Sequence, residues 1–168
     1  MATDREWADG YLAQARADLA AAVLVGTGEP SVFAMLMQMA FEKFAKAALL
    51  RSGSMTLSAA ATTHRAASLM VRAMRIQRRL MAPIGGPLVW HAALEALEAL
   101  ERANPSIAKR ASGGPQLEYP WETSTGLIHW PARDLAIAAK LGNPRSNLAA
   151  HLSDFAAKLD RNFDRCFP

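Results

Sequence analysis

Two residues near the end of the chain have the types and spacing for phosphoryl chemistry. Arg145 and His151 stand with five residues between them. An imidazole that titrates near neutrality moves a ribose 2′-OH or leaving-group proton, and a guanidinium stabilises the charge of a pentacoordinate phosphorus. Together they suffice for phosphodiester cleavage without a metal. A chain this rich in arginine produces about one such pair by chance, so spacing alone leaves a second reading open, a helix histidine beside a surface arginine. The other histidines, His64, His91 and His129, are too far apart for helical metal-ligand spacing, so no metal and no cofactor is expected. Cys166, the single cysteine, reads as packing and not as a nucleophile. GlyGlyPro at 85–87 and again at 113–115 lacks the lysine of a phosphate loop.

A second candidate is a row of cations. Arg65, Arg72, Arg75 and Arg79 align along one flank of an expected helix, with no acidic residue between them in sequence. One reading is a solvated face whose stems cover apolar surface; the other is a phosphate-tracking stripe for nucleic acid. The net charge of +4 permits the second without establishing it.

These residues need elements to hold them, and the periodicity predicts helices throughout. Alanine is abundant, β-branched residues are sparse and no long polar–apolar alternation occurs, so the fold class is all-α, an up-and-down bundle of five to six helices. A chain of 168 residues fits one domain with one core. Thr3 and Glu6 form a capping box for a first helix ending before Gly26. Phe33, Met37, Phe41 and Phe44 line the core side of a second, opened by Pro30 and closed at Gly53, with Gln38, Glu42, Lys43 and Lys46 between the apolar positions. The short GTGEP link makes the two antiparallel neighbours.

A third helix is expected from about Ser58 or Thr63 to Met81. Its core stripe is Ala66, Leu69, Ala73, Ile76 and Leu80, widened by Met70, Met74 and Met81. A fourth, about Leu88 to Ala103, sends Ala93, Leu94, Leu97 and Leu100 inward and Glu95, Glu98 and Glu101 outward. A long loop at about 104–130 carries Tyr119, Trp121 and Trp130, either as anchors or as stacking surfaces. A short helix near Pro131 to Leu141 precedes the last one. There Asn143 serves as cap and Pro144 as first residue, and Leu148, Leu152, Phe155, Leu159 and Phe163 form the stripe. On that helix Arg145 and His151 are separated by about 120° and about 9 Å of rise and straddle the apolar stripe.

One stretch carries a family resemblance. MQMAFEKFAKAALLRSG, with Gln38, Glu42, Lys43, Lys46, Ala47, Leu49, Leu50 and Gly53, resembles the second-helix signature of the HEPN superfamily, and YLAQARADLAAA before it and Thr63-His64 after it fit the same pattern. The resemblance implies a single HEPN-like helical domain that dimerises through its helices, often beside a nucleotidyltransferase-like partner in toxin–antitoxin pairs. Many such proteins are metal-independent ribonucleases whose motif is arginine, four to six residues, then histidine, late in the domain. Arg145 and His151 occupy that place. The implied function is binding or cleavage of RNA or nucleotides, with a noncatalytic partner module as the alternative. The one cysteine and the lack of an apolar span of membrane-crossing length lead to the expectation of a cytoplasmic protein away from the membrane.

Overall fold

The computed structural model describes residues 2–85, 87–108 and 114–168. Its first two helices, α1 (Asp4–Val25) and α2 (Pro30–Arg51), follow from local signals. Glu6 N–H donates to Thr3 Oγ1 at 3.2 Å while Thr3 N–H donates to Glu6 Oε2 at 2.7 Å, the reciprocal capping box. A 3₁₀ turn at Gly26–Gly28 reverses the chain, with Gly26 at φ 60°. Pro30 opens α2, and Gly53 past its end takes φ 65°, where a side chain would be strained. Antiparallel pairing shows in Lys43 meeting Asp18 and Arg51 meeting Asp9. The buried row of α1 is Ala8, Leu12, Ala15, Leu19 and Ala22. Its three alanines let α1 lie close against α2.

Helix α2 is the centre of a helical bundle and packs against helices on every side. Phe33, Met37, Phe41 and Phe44 are all buried, Phe41 against Phe155 and Phe44 against Phe163. The main apolar cluster among the described residues runs through these rings to Trp90, which meets Phe155 edge-on at 5.2 Å.

The expected third helix is three pieces: α3 (Leu57–Thr62), α4 (Ala66–Ile76) and α5 (Arg78–Met81). Thr62 Oγ1 turns back to the carbonyls of Ser58 and Ala59, Thr63 is extended, and its hydroxyl accepts Arg65 N–H, so consecutive threonines compete with the helix ladder and end it. Gln77 breaks the second join with an extended backbone. Each break resets the helical phase. In consequence α4 buries Ala66, Ala67, Met70, Val71 and Met74, and the expected core residues Leu69 and Ile76 face outward, 48% and 84% exposed. Leu80 reaches the core through α5, and the Met81 side chain lies outside the described residues.

Helix α6 (Pro87–Arg102) buries Ala93, Leu94, Leu97 and Leu100 as expected, but Glu101 is buried too, contrary to its outward placement. The region from 104 to 130 is no plain loop. It holds α7 (Pro105–Ala108) and a two-stranded antiparallel hairpin, β1 (Trp121–Glu122) and β2 (Ile128–His129), with Trp121 opposite His129. Residues 109–113 lie outside the described residues. Trp121 is buried and stacks on His129, which anchors the hairpin, while Tyr119 and Trp130 stay exposed.

The short helix that follows is split by Leu135 into α8 (Pro131–Asp134) and α9 (Ala136–Gly142). Gly142 ends α9 at a close approach. A Cβ there would lie 2.6 Å from Pro30 Cγ, so its missing side chain lets the end of α9 touch the start of α2. The last helix, α10 (Leu148–Arg161), breaks at Asn162 and continues as α11 (Phe163–Cys166) with its stripe of Leu152, Phe155, Leu159 and Phe163 buried. No described helix is long and apolar enough to cross a membrane.

Candidate functional site

Arg145 and His151 are held by the α9–α10 corner. Asn143 does not cap the last helix; it caps a turn, its Oδ1 accepting Arg145 N–H at 2.9 Å while its carbonyl accepts Ser146 N–H at 3.0 Å. Ser146 Oγ donates back to Lys140 O at 2.7 Å, which ties the turn to the end of α9, and accepts Leu148 N–H at 3.3 Å. Asn147 then takes the left-handed conformation, φ 50°, and α10 begins at Leu148. Arg145 therefore precedes the helix, so the expected placement of the two residues on one helix, straddling its apolar stripe, does not hold.

His151 lies in the opening turns of α10, its N–H bonded to Asn147 O at 3.0 Å. Both Arg145 and His151 are exposed, and among the described residues neither side chain makes a hydrogen bond or an ion pair. A small cavity behind the corner, about 200 Å³, is walled by Thr27, Gly142, Asn143 and Leu148 and by neither of the two. Chemically the corner offers an unengaged guanidinium and an unengaged imidazole beside the positive end of a 14-residue helix, an arrangement suited to an anion.

The arginine row is not a row on one helix. Arg65 is the residue before α4, Arg72 and Arg75 lie on α4, and Arg79 lies on α5 beyond the break at Gln77. All four are exposed. Nor is the row free of acids in space, because Glu98 of α6 pairs with Arg72.

A third set of polar residues lines a cleft. A polar cavity of about 410 Å³ is walled by Gln38, Glu42 and Lys43 of α2, His64 of the α3–α4 link, Asn104 and Tyr119. Glu42 Oε1 takes Lys46 Nζ at 2.8 Å and Oε2 takes Gln38 Nε2 at 2.8 Å. Lys43 Nζ turns instead to Asp18 at 2.6 Å, and Gln14 donates to the same carboxylate. His64 Nδ1 is buried 3.5 Å from Glu42 Oε1, too far and too poorly aligned for a hydrogen bond. The cations here are committed to internal carboxylates, which makes the cleft a poor anion site despite its lysines. Two signals pointed to it: an i, i+4 polar row inside an apolar helix, and the Thr63-His64 pair after it.

Other titratable groups are structural. Burial pushes the Glu101 carboxyl above its ordinary value, and hydrogen bonds from Ser68 and Ala67 only partly oppose this. Burial likewise raises the Cys166 thiol, which keeps it protonated and unreactive. Asp134 is held down at about 2 by the Arg133 guanidinium, with Trp130 N–H adding to the effect. Arg133 in turn lies 3.5 Å over the Trp130 ring, locking the hairpin to α8. Among the described residues no three His, Cys, Asp or Glu side chains come together as metal ligands. Compared with known proteins, the chain matches no family model, no curated protein and no solved structure.

Proposed function

We propose that this chain is a HEPN-like, cytoplasmic helical protein that binds or cleaves RNA or nucleotides, acting as a metal-independent endoribonuclease of a toxin–antitoxin or defence system. The observation that carries the reading is the α9–α10 corner, where an arginine and a histidine are exposed, unengaged and set at the positive end of α10. In the proposed step His151 removes the proton from a ribose 2′-OH, the 2′-oxygen attacks phosphorus and the bond to the 5′-oxygen breaks. Arg145 holds the charge on the phosphoryl oxygens, and the products are a 2′,3′-cyclic phosphate and a 5′-hydroxyl. One histidine cannot be base and acid at once, so the leaving oxygen takes its proton from the His151 of a second copy in a homodimer. The corner's openness within one copy fits a site completed across a two-fold axis.

Incubation of fluorescent RNA with the protein in EDTA tests this. Cleavage to cyclic-phosphate ends by the wild type and its loss in His151→Ala support the reading; cleavage that survives His151→Ala sinks it. A second reading, a noncatalytic module that associates with a nucleotidyltransferase-like protein, is favoured by the outer face of α4.

A further inference from the structure

The outer face of α4 combines two properties that are rarely left together on a free surface. Leu69, Ala73 and Ile76, at i, i+4 and i+7, form an exposed apolar seam, with Ile76 84% exposed. Arg65 and Arg72 fall within about 60° of that seam on the helical wheel, and Arg75 lies farther round on the same side. Helix α4 contains no acidic residue. At its C-terminal end the seam runs into a groove of about 370 Å³ walled by Met70, Ala73, Met74, Gln77, Arg79 and Leu80. The groove continues the same chemistry, an apolar floor with an arginine at the rim.

We propose that this face docks an acidic amphipathic helix of a partner protein, about three turns long to match the roughly 16 Å of α4. The inference rests on the partner-module reading and gives that partner a contact surface. Charge decides the occupant. A second copy placed face to face would set arginine against arginine, which like-charge repulsion opposes. A nucleic-acid backbone would engage the guanidinium groups but leave Leu69 and Ile76 in water. Only a helix with an apolar stripe edged by carboxylates covers the seam and neutralises its basic flank, with glutamates reaching Arg65 and Arg75 while Arg72 stays with Glu98.

The test uses the full chain and a synthetic, fluorescently tagged peptide of about three helical turns, leucines at i, i+4 and i+7 and glutamates along one flank. A scrambled peptide of the same composition and a short RNA serve as comparisons, read by anisotropy. The ordered peptide is expected to bind at least about tenfold more tightly than the scrambled one, the factor that burial of even one aliphatic side chain supplies. Leu69→Ser and Ile76→Ser, both at exposed positions, should each weaken that binding with the circular dichroism unchanged. Arg65→Glu combined with Arg75→Glu should weaken it further and flatten its salt dependence. Equal affinity for the two peptides overturns the proposal, as does binding indifferent to Ile76→Ser. RNA binding lost with the arginines, in a chain that ignores the peptide, makes the face a phosphate surface instead. A dimer that Ile76→Ser dissociates makes it a self-interface. RNA cleavage in EDTA reads the ribonuclease reading separately, so either idea can fail alone.

Discussion

His64 and His151 occupy opposite settings in one molecule. His64 is half-buried beside Glu42, in a cleft whose lysines already face internal carboxylates, while His151 stands exposed at the head of α10 with Arg145 just before it. Both regions contain a histidine and nearby cations, and a list of residue types would not separate them. What separates them is commitment. Around Glu42 the lysines have internal counter-charges, so the region stabilises α1 against α2 and has little left for an anion. At the α9–α10 corner the backbone is tied down by Asn143 and Ser146 while the side chains stay unengaged, a rigid base under free functional groups.

The sharpest way to break this contrast is to exchange the roles. His151→Ala is expected to lower RNA cleavage in EDTA by about a hundredfold or more with the melting temperature unchanged, whereas His64→Ala should leave cleavage nearly intact. If His64→Ala abolishes cleavage and His151→Ala does not, the cleft is the working site. The converse concerns stability. Lys46 is 7% exposed, so Glu42→Ala strands a buried ammonium and should cost about 3–5 kcal/mol in urea denaturation. Adding Lys46→Met should recover most of it; failure to recover would mean that Glu42 acts through more than its ion pair.

Gly142→Ala probes the scaffold beneath the corner. The new methyl must displace Pro30, so a loss of about 1–3 kcal/mol is expected, together with a shift in the amide resonances of Asn143, Arg145, Ser146 and Asn147. A neutral outcome would show that α9 and α2 separate freely. The smallest effect concerns Glu101. Its carboxyl titrates above the ordinary value of 4.5 when folded, so wild-type stability is fully present below that value and declines as pH rises through the raised folded value. Glu101→Gln should lose that decline, so the difference between variant and wild type shifts in favour of the variant from acid to neutral pH. Parallel pH profiles would show that Glu101 ionises without penalty.

Much of this architecture was legible where the signals were local. Thr3 and Glu6, Pro30 and Gly53 set the ends of α1 and α2 because caps act within one turn. Phase over longer distances was not legible. A single helical stripe drawn through to Leu80 runs across the break at Gln77, and so it points Leu69 and Ile76 inward. Glu95, Glu98 and Glu101 look alike in sequence, yet a three-residue step falls about 60° short of a full turn, and the third glutamate has walked from solvent into the core. Asn-Pro before Arg145 reads equally well as a helix start or a turn. The left-handed Asn147 that selects the turn has no mark of its own. The Arg72–Glu98 pair joins two helices and could not be seen along one.

Glu101 also bears on the order in which the molecule assembles. Helix α4 has no side-chain cap of its own, and its buried Ser68 N–H is satisfied by Glu101 Oε1 at 2.9 Å, a residue 33 positions later on α6. An isolated segment of 11 residues is marginal in water and leaves that donor without its partner. Helix α4 packs on α2 as well as on α6, but its buried Ser68 N–H is satisfied only once α6 has docked beside it. The donor that opens α4 is thus completed by a residue made 33 positions after it, so the exposed seam reaches its final order only when α2, α4 and α6 are together.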